Sequence, residues 1–562
     1  MIGFAQACEA IAATASKLEK IGLLGGYLAS LDDGDLEAAA RFFTGNPFAA
    51  RDQRTLAIGG RTIVSAAEAV WAFTGEQLGT SYREHGDLGA ALSPFVRPPA
   101  RLALFSETLT PSLLKTLLDD IAAASGKSAG RKRQLICERI LGACTTQPEA
   151  KYVVKIMTGD LRIGLREGLV IDGVAKAFAL DARDVRRATM AAGDIGTVAV
   201  AARHGRLADI AVAYGSPIGF MLASPVLFGS EYRELAGRRW IVEDKFDGIR
   251  AQVHKNGDDV RIFSRTLNDV SHSYPEVVAA VRTIPSSVIL DGELIAVRDG
   301  RVLPFRYLQA RLQRKAVAEE LLREVPVVYA CFDLLAKDEV FLLDEPLVER
   351  RAHLADTVVP APNLMLAQWA NLQESESADA LHERFERARA AGHEGLLLKR
   401  ADSPYFPGRR GKRWLKLKRE LSTLDVVVVA VEWGHGRRAK VLSDYTFAVR
   451  AEDGGLLPIG KAYSGLTDAE IAQYTQWFLA HRTDGPQREK RRRYEIPVEP
   501  QVVIEVAFDI IQESTLHESG FSLRFPRIVR IRDDKPASEI DTLARVKEIY
   551  EQMLDREGVQ PG

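Results

Sequence analysis

The sequence predicts a multidomain protein with an all-α N-terminal domain, an α+β central domain and a small C-terminal β-barrel. Three observations carry that reading. The chain has 562 residues, too many for one compact core; at roughly 100–200 residues per domain it holds three to five domains. The hydrophobic period changes from helical to alternating near Arg238, and strands dominate after Thr423. Hydrophobic content of 46% and charged content of 27% are those of an ordinary globular chain, so each segment can build a core.

Residues 1–205 read as helical. Asp35-Leu36-Glu37 opens a segment with Leu36, Ala39, Ala40 and Phe43 on one face, and Gly45 stops it. Val170, Val174, Ala177 and Phe178 recur at helical spacing. A hinge is expected around residues 214–232, where Gly and Pro cluster. Residues 238–265 read as strand, loop, strand, turn, strand, and Asn256-Gly257 is a hairpin signal between alternating flanks. Residues 287–297 and 325–335 are further strands with helical stretches between them. After Thr423, VVVVAVEW is a buried run, YTFAVR and VVIEVAFDII alternate, and Asp453-Gly454 marks a turn. A helix over residues 537–554 closes the chain. The expected domains are 1–205, 206–420 and 421–562, the last a closed barrel with appended helices.

Composition bounds the function. Lys+Arg 75 against Asp+Glu 76 gives a net charge of −1, which argues against a uniformly basic coat but leaves local patches open. Residues 409–419 hold seven Lys and Arg and no acid, whereas residues 31–40 hold four acids and no base. Arg488 to Tyr494, REKRRRY, is the one dense basic run. Cys8, Cys137, Cys144 and Cys331 form no CxxC pair, so neither a zinc knuckle nor a disulfide framework is expected, and a reducing cytosol fits. The N-terminal stretch is a poor signal peptide, and no run of about 18 apolar residues suggests a membrane span. A cytoplasmic protein is expected.

Glu243-Asp244-Lys245-Phe246-Asp247-Gly248-Ile249-Arg250 places a lysine between the end of one strand and the start of the next. Its amine is a candidate covalent nucleophile, and Gly248 lets backbone approach a ligand closely. Phe263-Ser264-Arg265 ends a later strand. Asp291-Gly292-Glu293 puts acids inside an apolar strand, where charge is costly without a partner or metal. Phe332-Asp333 follows Tyr329; Glu394 and Lys399 bracket a buried run; and Lys416 and Lys418 share one strand face. Singly, each fits a strand with polar ends. Together they supply cations for phosphate oxygens, carboxylates for a ribose hydroxyl or Mg²⁺, and an aromatic face for a purine. Their sum is a nucleotide site with a lysine nucleophile.

The ordered set EDKFDGIR, FSR, LDGE, YACFDLL, EGLLLK, WLKLK and SLRFPRIVRIRDDK resembles the motif series of the ATP-dependent DNA ligases. That family belongs to the covalent nucleotidyltransferase superfamily, shared with mRNA capping enzymes. TGDLRIGLREG at residues 158–168 resembles the helical DNA-binding domain of its replicative and archaeal type. The resemblance implies an ATP-grasp-like nucleotidyltransferase (adenylation) domain at 206–420 and an OB-fold barrel at 421–562. It also implies three transfers. Lys245 takes AMP from ATP, AMP passes to the 5′-phosphate of a nick, and the 3′-hydroxyl displaces AMP.

By motif position, Glu243 matches an adenine contact through backbone or side chain. Arg250 and Arg265 match arginines that hold nucleotide or nick phosphate. Glu293 matches an acid near ribose and metal, Glu394 a second metal-associated acid, and Phe332 the ring that stacks on adenine. Arg410, with Arg409 and Arg413 as rivals, fits a phosphate contact. Lys416 and Lys418 match the α-phosphate lysines, and Arg532 and Lys535 match the C-terminal pair that orients pyrophosphate. The implied cofactors are ATP and Mg²⁺, with Mn²⁺ as a substitute. The implied partner is nicked duplex DNA, bound by a monomer in the prokaryotic cytoplasm. An NAD-dependent ligase would need a nicotinamide-recognising segment and usually a four-cysteine zinc site, and a capping enzyme would lack the long helical domain. An RNA ligase and a non-catalytic DNA clamp are the remaining alternatives.

Overall fold

The structure is a computed structural model that describes residues 1–97, 108–226, 235, 239–312, 314, 316–372, 378–418, 422–435, 438–483 and 495–556. The basic run at 488–494 and Arg419 lie outside the described residues. Two compact units are present, Met1–Leu78 with Leu88–Arg419, and Gly79–Asp87 with Glu420–Gly562.

The helical region behaves as its pattern predicts. The Asp33–Phe43 helix buries Leu36, Ala39, Ala40 and Phe43, and Gly45 follows it at φ +86°. Phe4, Leu28, Phe42, Trp71, Leu118, Tyr152 and Val174 meet in one apolar core. Ser16, Asp32, Thr110, Thr146 and Asp194 cap helix N-termini with their side chains, which satisfies amides that would otherwise lack partners. The acidic stretch at 31–40 is largely used inside the fold. Asp32 caps, Asp35 accepts from the Ser112 amide, Asp33 pairs with Arg203 and His204, and Glu37 pairs with Arg41.

The central region is built from two sheets. The first runs, in spatial order, Leu222–Val226, Arg410–Lys418, Gly395–Arg400, Trp240–Lys245 and Trp369–Leu372. The second runs Asp259–Ser264, Ile249–Asn256, Val288–Arg298, Val327–Lys337 and Val340–Phe341, with Arg301–Val302 and Leu364–Leu366 paired alongside. One face of the first sheet packs on the Ala378–Ala390 helix through Leu381 and Phe385. One face of the second packs on the Pro275–Arg282 helix through Val277 and Val281. The remaining faces meet across Ile289, Phe332, Leu335, Tyr405 and Trp414. The period-2 alternation of each strand thus separates an apolar side against a helix from a mixed side in the interior. Of the stretch expected to hinge, the described part is tied to both sheets, Leu222–Val226 being a strand of the first and residues 215–218 bonding to the second. Gly215 N–H donates to His254 Nδ1 (3.1 Å) and Ile218 N–H to Gln252 Oε1 (2.7 Å). Burial holds His254 down to about 3, so it serves as a neutral acceptor.

In the second unit, Leu456–Ala462, Leu442–Arg450, Ser422–Trp433, Val503–Phe508 and Arg527–Ile531 form a continuous antiparallel path. Its two ends are joined where Ile528 N–H donates to Ser464 C=O at 2.9 Å, as the small barrel requires. Val426, Val428, Phe447, Ile504 and Val506 fill the interior, with Phe478 and Val546 from the two helices. The closing helix is Leu543–Arg556, later than the expected start at 537, and only the single turn Ala537–Glu539 precedes it. The reason is local pairing. Ile540 is buried against Val427 and Val503, Asp541 N–H donates to Asp425 C=O, and Arg450 N–H donates to Asp541 C=O, so this segment runs extended beside the barrel.

The Asp333–Arg350 pair locks the central region. Both side chains are fully buried, two guanidinium nitrogens donate to the carboxylate at 2.8 Å each, and a third donates to Ser403 C=O. Removing one partner of such a pair strands the other charge, at a cost of about 3–5 kcal/mol. D333N is therefore expected to lower the thermal midpoint by roughly 10 °C, and a calorimetric scan that finds it unchanged would refute this role.

Candidate nucleotide and nucleophile site

Strand register assembles the site. In the first sheet Ile241, Lys399 and Trp414 lie side by side, then Glu243, Leu397 and Lys416, then Lys245, Gly395 and Lys418. Paired residues share a face, so Lys245, Glu243, Lys399, Trp414, Lys416 and position 418 all lie opposite the apolar face of Val242, Leu396, Leu398, Leu415 and Leu417. Two glycines are required by close approach. A Cβ at Gly395, which has φ +150°, would lie 2.3 Å from Leu417 O; one at Gly248 would lie 2.4 Å from Leu294 O.

Lys245 ends the Trp240–Lys245 strand. Its Nζ is 2.6 Å from Glu394 Oε2, and Glu394 N–H donates to Lys245 C=O at 2.7 Å. Glu293 enters from the second sheet, paired in register with Arg250. Burial pushes its carboxyl up to about 8; Lys245 and Arg250 pull it down, while Glu394 and Asp291 push it further up. Among the described residues no three metal-ligating side chains cluster. Two carboxylates beside Lys245 nonetheless fit Mg²⁺, which usually takes one or two protein carboxylates and fills its shell with phosphate oxygens and water.

Arg250 is locked in place. Nε and Nη2 donate to Asp291 at 3.0 and 2.7 Å, and Nη1 donates to Met221 C=O at 2.7 Å. The guanidinium lies over Phe220, Phe332 and Trp414, 4.9–5.5 Å from the ring centres. Burial opposes its charge, but Asp291 outweighs burial and holds the pKa above the usual arginine value. Asp291 also accepts from Tyr405 OH at 2.7 Å, and that hydroxyl accepts from Met221 N–H.

Phe332 occupies a β-bulge. Asp333 pairs with Asp291 and Cys331 with Gly292, which leaves Phe332 between them without a partner position. Lys399 Nζ sits 3.9 Å from its ring centre, and Trp414 meets it edge-on. Glu243 takes Lys399 at 2.7 Å and also pairs with Arg351, so its carboxylate is committed to two buried cations.

The other candidates lie elsewhere. Arg265 is exposed just beyond the Asp259–Ser264 strand. Arg410 is exposed at the start of its strand and donates to Ala223 C=O at 2.9 Å, whereas Arg413 lies over Phe406. In the second unit, Arg532 and Lys535 both donate to Asp425 Oδ2 at 2.7 Å, and Arg532 also holds Asp534. The first unit therefore unites Lys245, Glu243, Arg250, Glu293, Phe332, Glu394 and Lys416 on the facing sides of two sheets. Sequence reasoning noted Lys399 and Asp291 within their motifs without giving either a role, and it passed over Arg351 and Tyr405. The only signal for Lys399 and Asp291 was a charge inside an apolar strand, and nothing marked Arg351 or Tyr405, which arrive from distant segments.

Three family models match in order along the chain. They are the DNA ligase N terminus over residues 2–175, the ATP dependent DNA ligase domain over 220–418, and the ATP dependent DNA ligase C terminal region over 438–535. A protein described as a probable DNA ligase from Koribacter versatilis is 46% identical, covering 97% of this chain and 96% of its own. A DNA ligase from Thermococcus fumicolans is 36% identical, covering 96% of each. The solved structure described as Pmar-Lig_PreS3 shares the fold at a TM-score of 0.59 and 16% identity, over 94% of this chain and 99% of its own. With a lysine beside an acid and further cations on one sheet face, and with these matches spanning the helical, central and barrel regions, the chain belongs to the ATP-dependent DNA ligases.

Proposed function

We propose that this ligase seals 5′-phosphate/3′-hydroxyl nicks in duplex DNA through a lysyl-AMP on Lys245. The observation that carries the proposal is the Lys245–Glu394 pair at 2.6 Å, on the sheet face that also bears Lys416 and position 418. In the first step Lys245 Nζ bonds to the α-phosphorus of ATP as the bond to pyrophosphate breaks. A free lysine is about one part in a thousand neutral near pH 7.4, so the amine must lose a proton to react, and Glu394 Oε2 stands in line to take it. In the second step the P–N bond breaks as an oxygen of the 5′-phosphate bonds to the AMP phosphorus. In the third, the 3′-oxygen bonds to the 5′-phosphorus and AMP leaves.

Geometry and motif position together support the remaining roles. Lys416, Lys418 and Arg250 balance charge that builds on the α-phosphate oxygens. Phe332 and Lys399 form the adenine end, and Glu243 supports it by fixing Lys399 against the ring. Glu293 and Glu394 would hold Mg²⁺, which supplies positive charge to the crowded phosphates. Arg265 and Arg410 face phosphate from exposed positions, and Arg532 and Lys535 orient pyrophosphate in the first step. Residues 158–168 and the basic 409–413 segment contact the duplex through its phosphates, which carry shape rather than sequence. We further propose a monomer acting in the cytoplasm at the nucleoid; no described helix is long and apolar enough to cross a membrane.

Incubation with Mg²⁺ and α-labelled ATP, GTP or NAD should label the protein from ATP alone, and K245A should abolish the label while still sealing a nick that is already adenylylated. Absence of label from every nucleotide would sink the mechanism. Glu293 is protonated below about 8, so a cation must displace a proton there at neutral pH. The Mg²⁺ concentration needed for half-maximal self-adenylylation is accordingly expected to fall as pH rises from 7 to 9, and E293Q should flatten that dependence. R532A and K535A are expected to slow self-adenylylation at least tenfold more than sealing of a pre-adenylylated nick, about 1.4 kcal/mol of selective transition-state loss; equal losses in both assays would contradict a pyrophosphate role.

A further inference from the structure

Residues 158–168 join the Gln147–Thr158 and Glu167–Ala177 helices by an irregular path. Gly159, Arg162 and Gly164 all take left-handed backbone, at φ +74°, +52° and +71°. For Arg162 that conformation is strained, and it persists only where surroundings enforce it. Leu161 and Ile163 point inward and are buried, whereas Arg162, Gly164 and Arg166 are exposed.

Two buried lysines grip this loop from beneath. Lys20, on the Lys17–Ala29 helix and 7% exposed, donates from Nζ to Ile163 C=O at 2.7 Å. Lys155, 5% exposed, donates to Leu161 C=O at 3.2 Å. In a trans peptide the N–H points opposite to the C=O, and no cis bond is present among the described residues. With the carbonyls of Leu161 and Ile163 drawn inward, the N–H groups of Arg162 and Gly164 are turned outward. Two outward N–H donors, one residue apart along the loop, suit an anion, because a charged acceptor strengthens each such hydrogen bond. Gly164 suits the position as well, because its φ of +71° is one that other residues rarely adopt, and a Cβ there would lie 2.7 Å from Lys20 Nζ and displace the ammonium. Among the described residues the Lys20 ammonium meets no carboxylate within ion-pair distance. A buried charge without a counterion is costly, and a phosphate seated on the loop would complement it.

We propose that Lys20 and Lys155 are positioning residues for duplex binding. They hold the loop so that the Arg162 and Gly164 amides meet one backbone phosphate, and Lys20 adds positive charge behind them. The proposal rests on the reading that residues 158–168 contact DNA.

The test is binding of the full chain to nicked duplex across a salt series, beside self-adenylylation, which uses no DNA. K20M and K155M are expected to bind about tenfold more weakly at low salt and to lower the log–log salt slope by about one. Self-adenylylation and the thermal midpoint should stay near wild type. G164A, which keeps the lysine but displaces it, should weaken binding in the same way and decides the matter if K20M does not fold. Wild-type affinity and slope in folded K20M or G164A would overturn the proposal. So would a parallel loss of self-adenylylation and thermal stability, because that pattern marks a purely structural role. R162A/R166A separates the two layers: if only it weakens binding while K20M, K155M and G164A bind like wild type, the loop reading stands and the positioning role fails, whereas if none of these variants weakens binding the loop does not contact DNA.

Discussion

The central region depends on burying charge between two sheets in matched sets. Arg250 is matched by Asp291, Arg350 by Asp333, and Lys399 and Arg351 by Glu243. Each pair or triad brings together different strands or helices, so the charges act as registration points between layers. A misplaced strand would leave a buried ion unpaired, which costs several kcal/mol. The same pairs explain how a sheet interior can be polar enough for nucleotide chemistry and still pack around Ile289, Leu335, Tyr405 and Trp414.

That arrangement also preorganises the site. Arg250 is held by a carboxylate and a carbonyl, and Tyr405 fixes that carboxylate in turn. Phe332 is set out of the ladder by a bulge and braced by Lys399. Groups fixed before substrate arrives need not reorganise as phosphate charge develops, which is where fixed dipoles and cations act most strongly. Lys245 and Glu394 are coupled twice, through their side chains and through the Glu394 N–H to Lys245 C=O bond, so the strand pairing that places the lysine also places its neighbouring acid.

Much of this was legible in the residues. The change of hydrophobic period near Arg238 marked the passage from helices to sheets, because helix and strand bury different spacings, but it missed the earlier strand Leu222–Val226, whose partner lies far along the chain. The Asn256-Gly257 turn, the strand carrying Asp291 and Glu293, and the shared face of Lys416 and position 418 all follow from local chemistry and alternation. The start of the last helix did not, because Ile540 and Asp541 are held extended by the barrel edge, a tertiary contact that overrides local preference. The near-neutral charge was similarly ambiguous until the acids of residues 31–40 were found engaged in caps and ion pairs.

What the sequence alone determined was the kind of protein: its layer types and the ordered motifs, with Lys245 among them, all of which are encoded in residue identity and short spacing. What only the tertiary structure decided was partnership. Glu243 faces Lys399 and Arg351 rather than standing free, Asp425 holds Arg532 and Lys535, and Lys20 reaches across 143 residues to Ile163. The physical reason is that charge pairing inside a fold depends on which surfaces are brought within a few ångströms, and linear spacing carries no record of that.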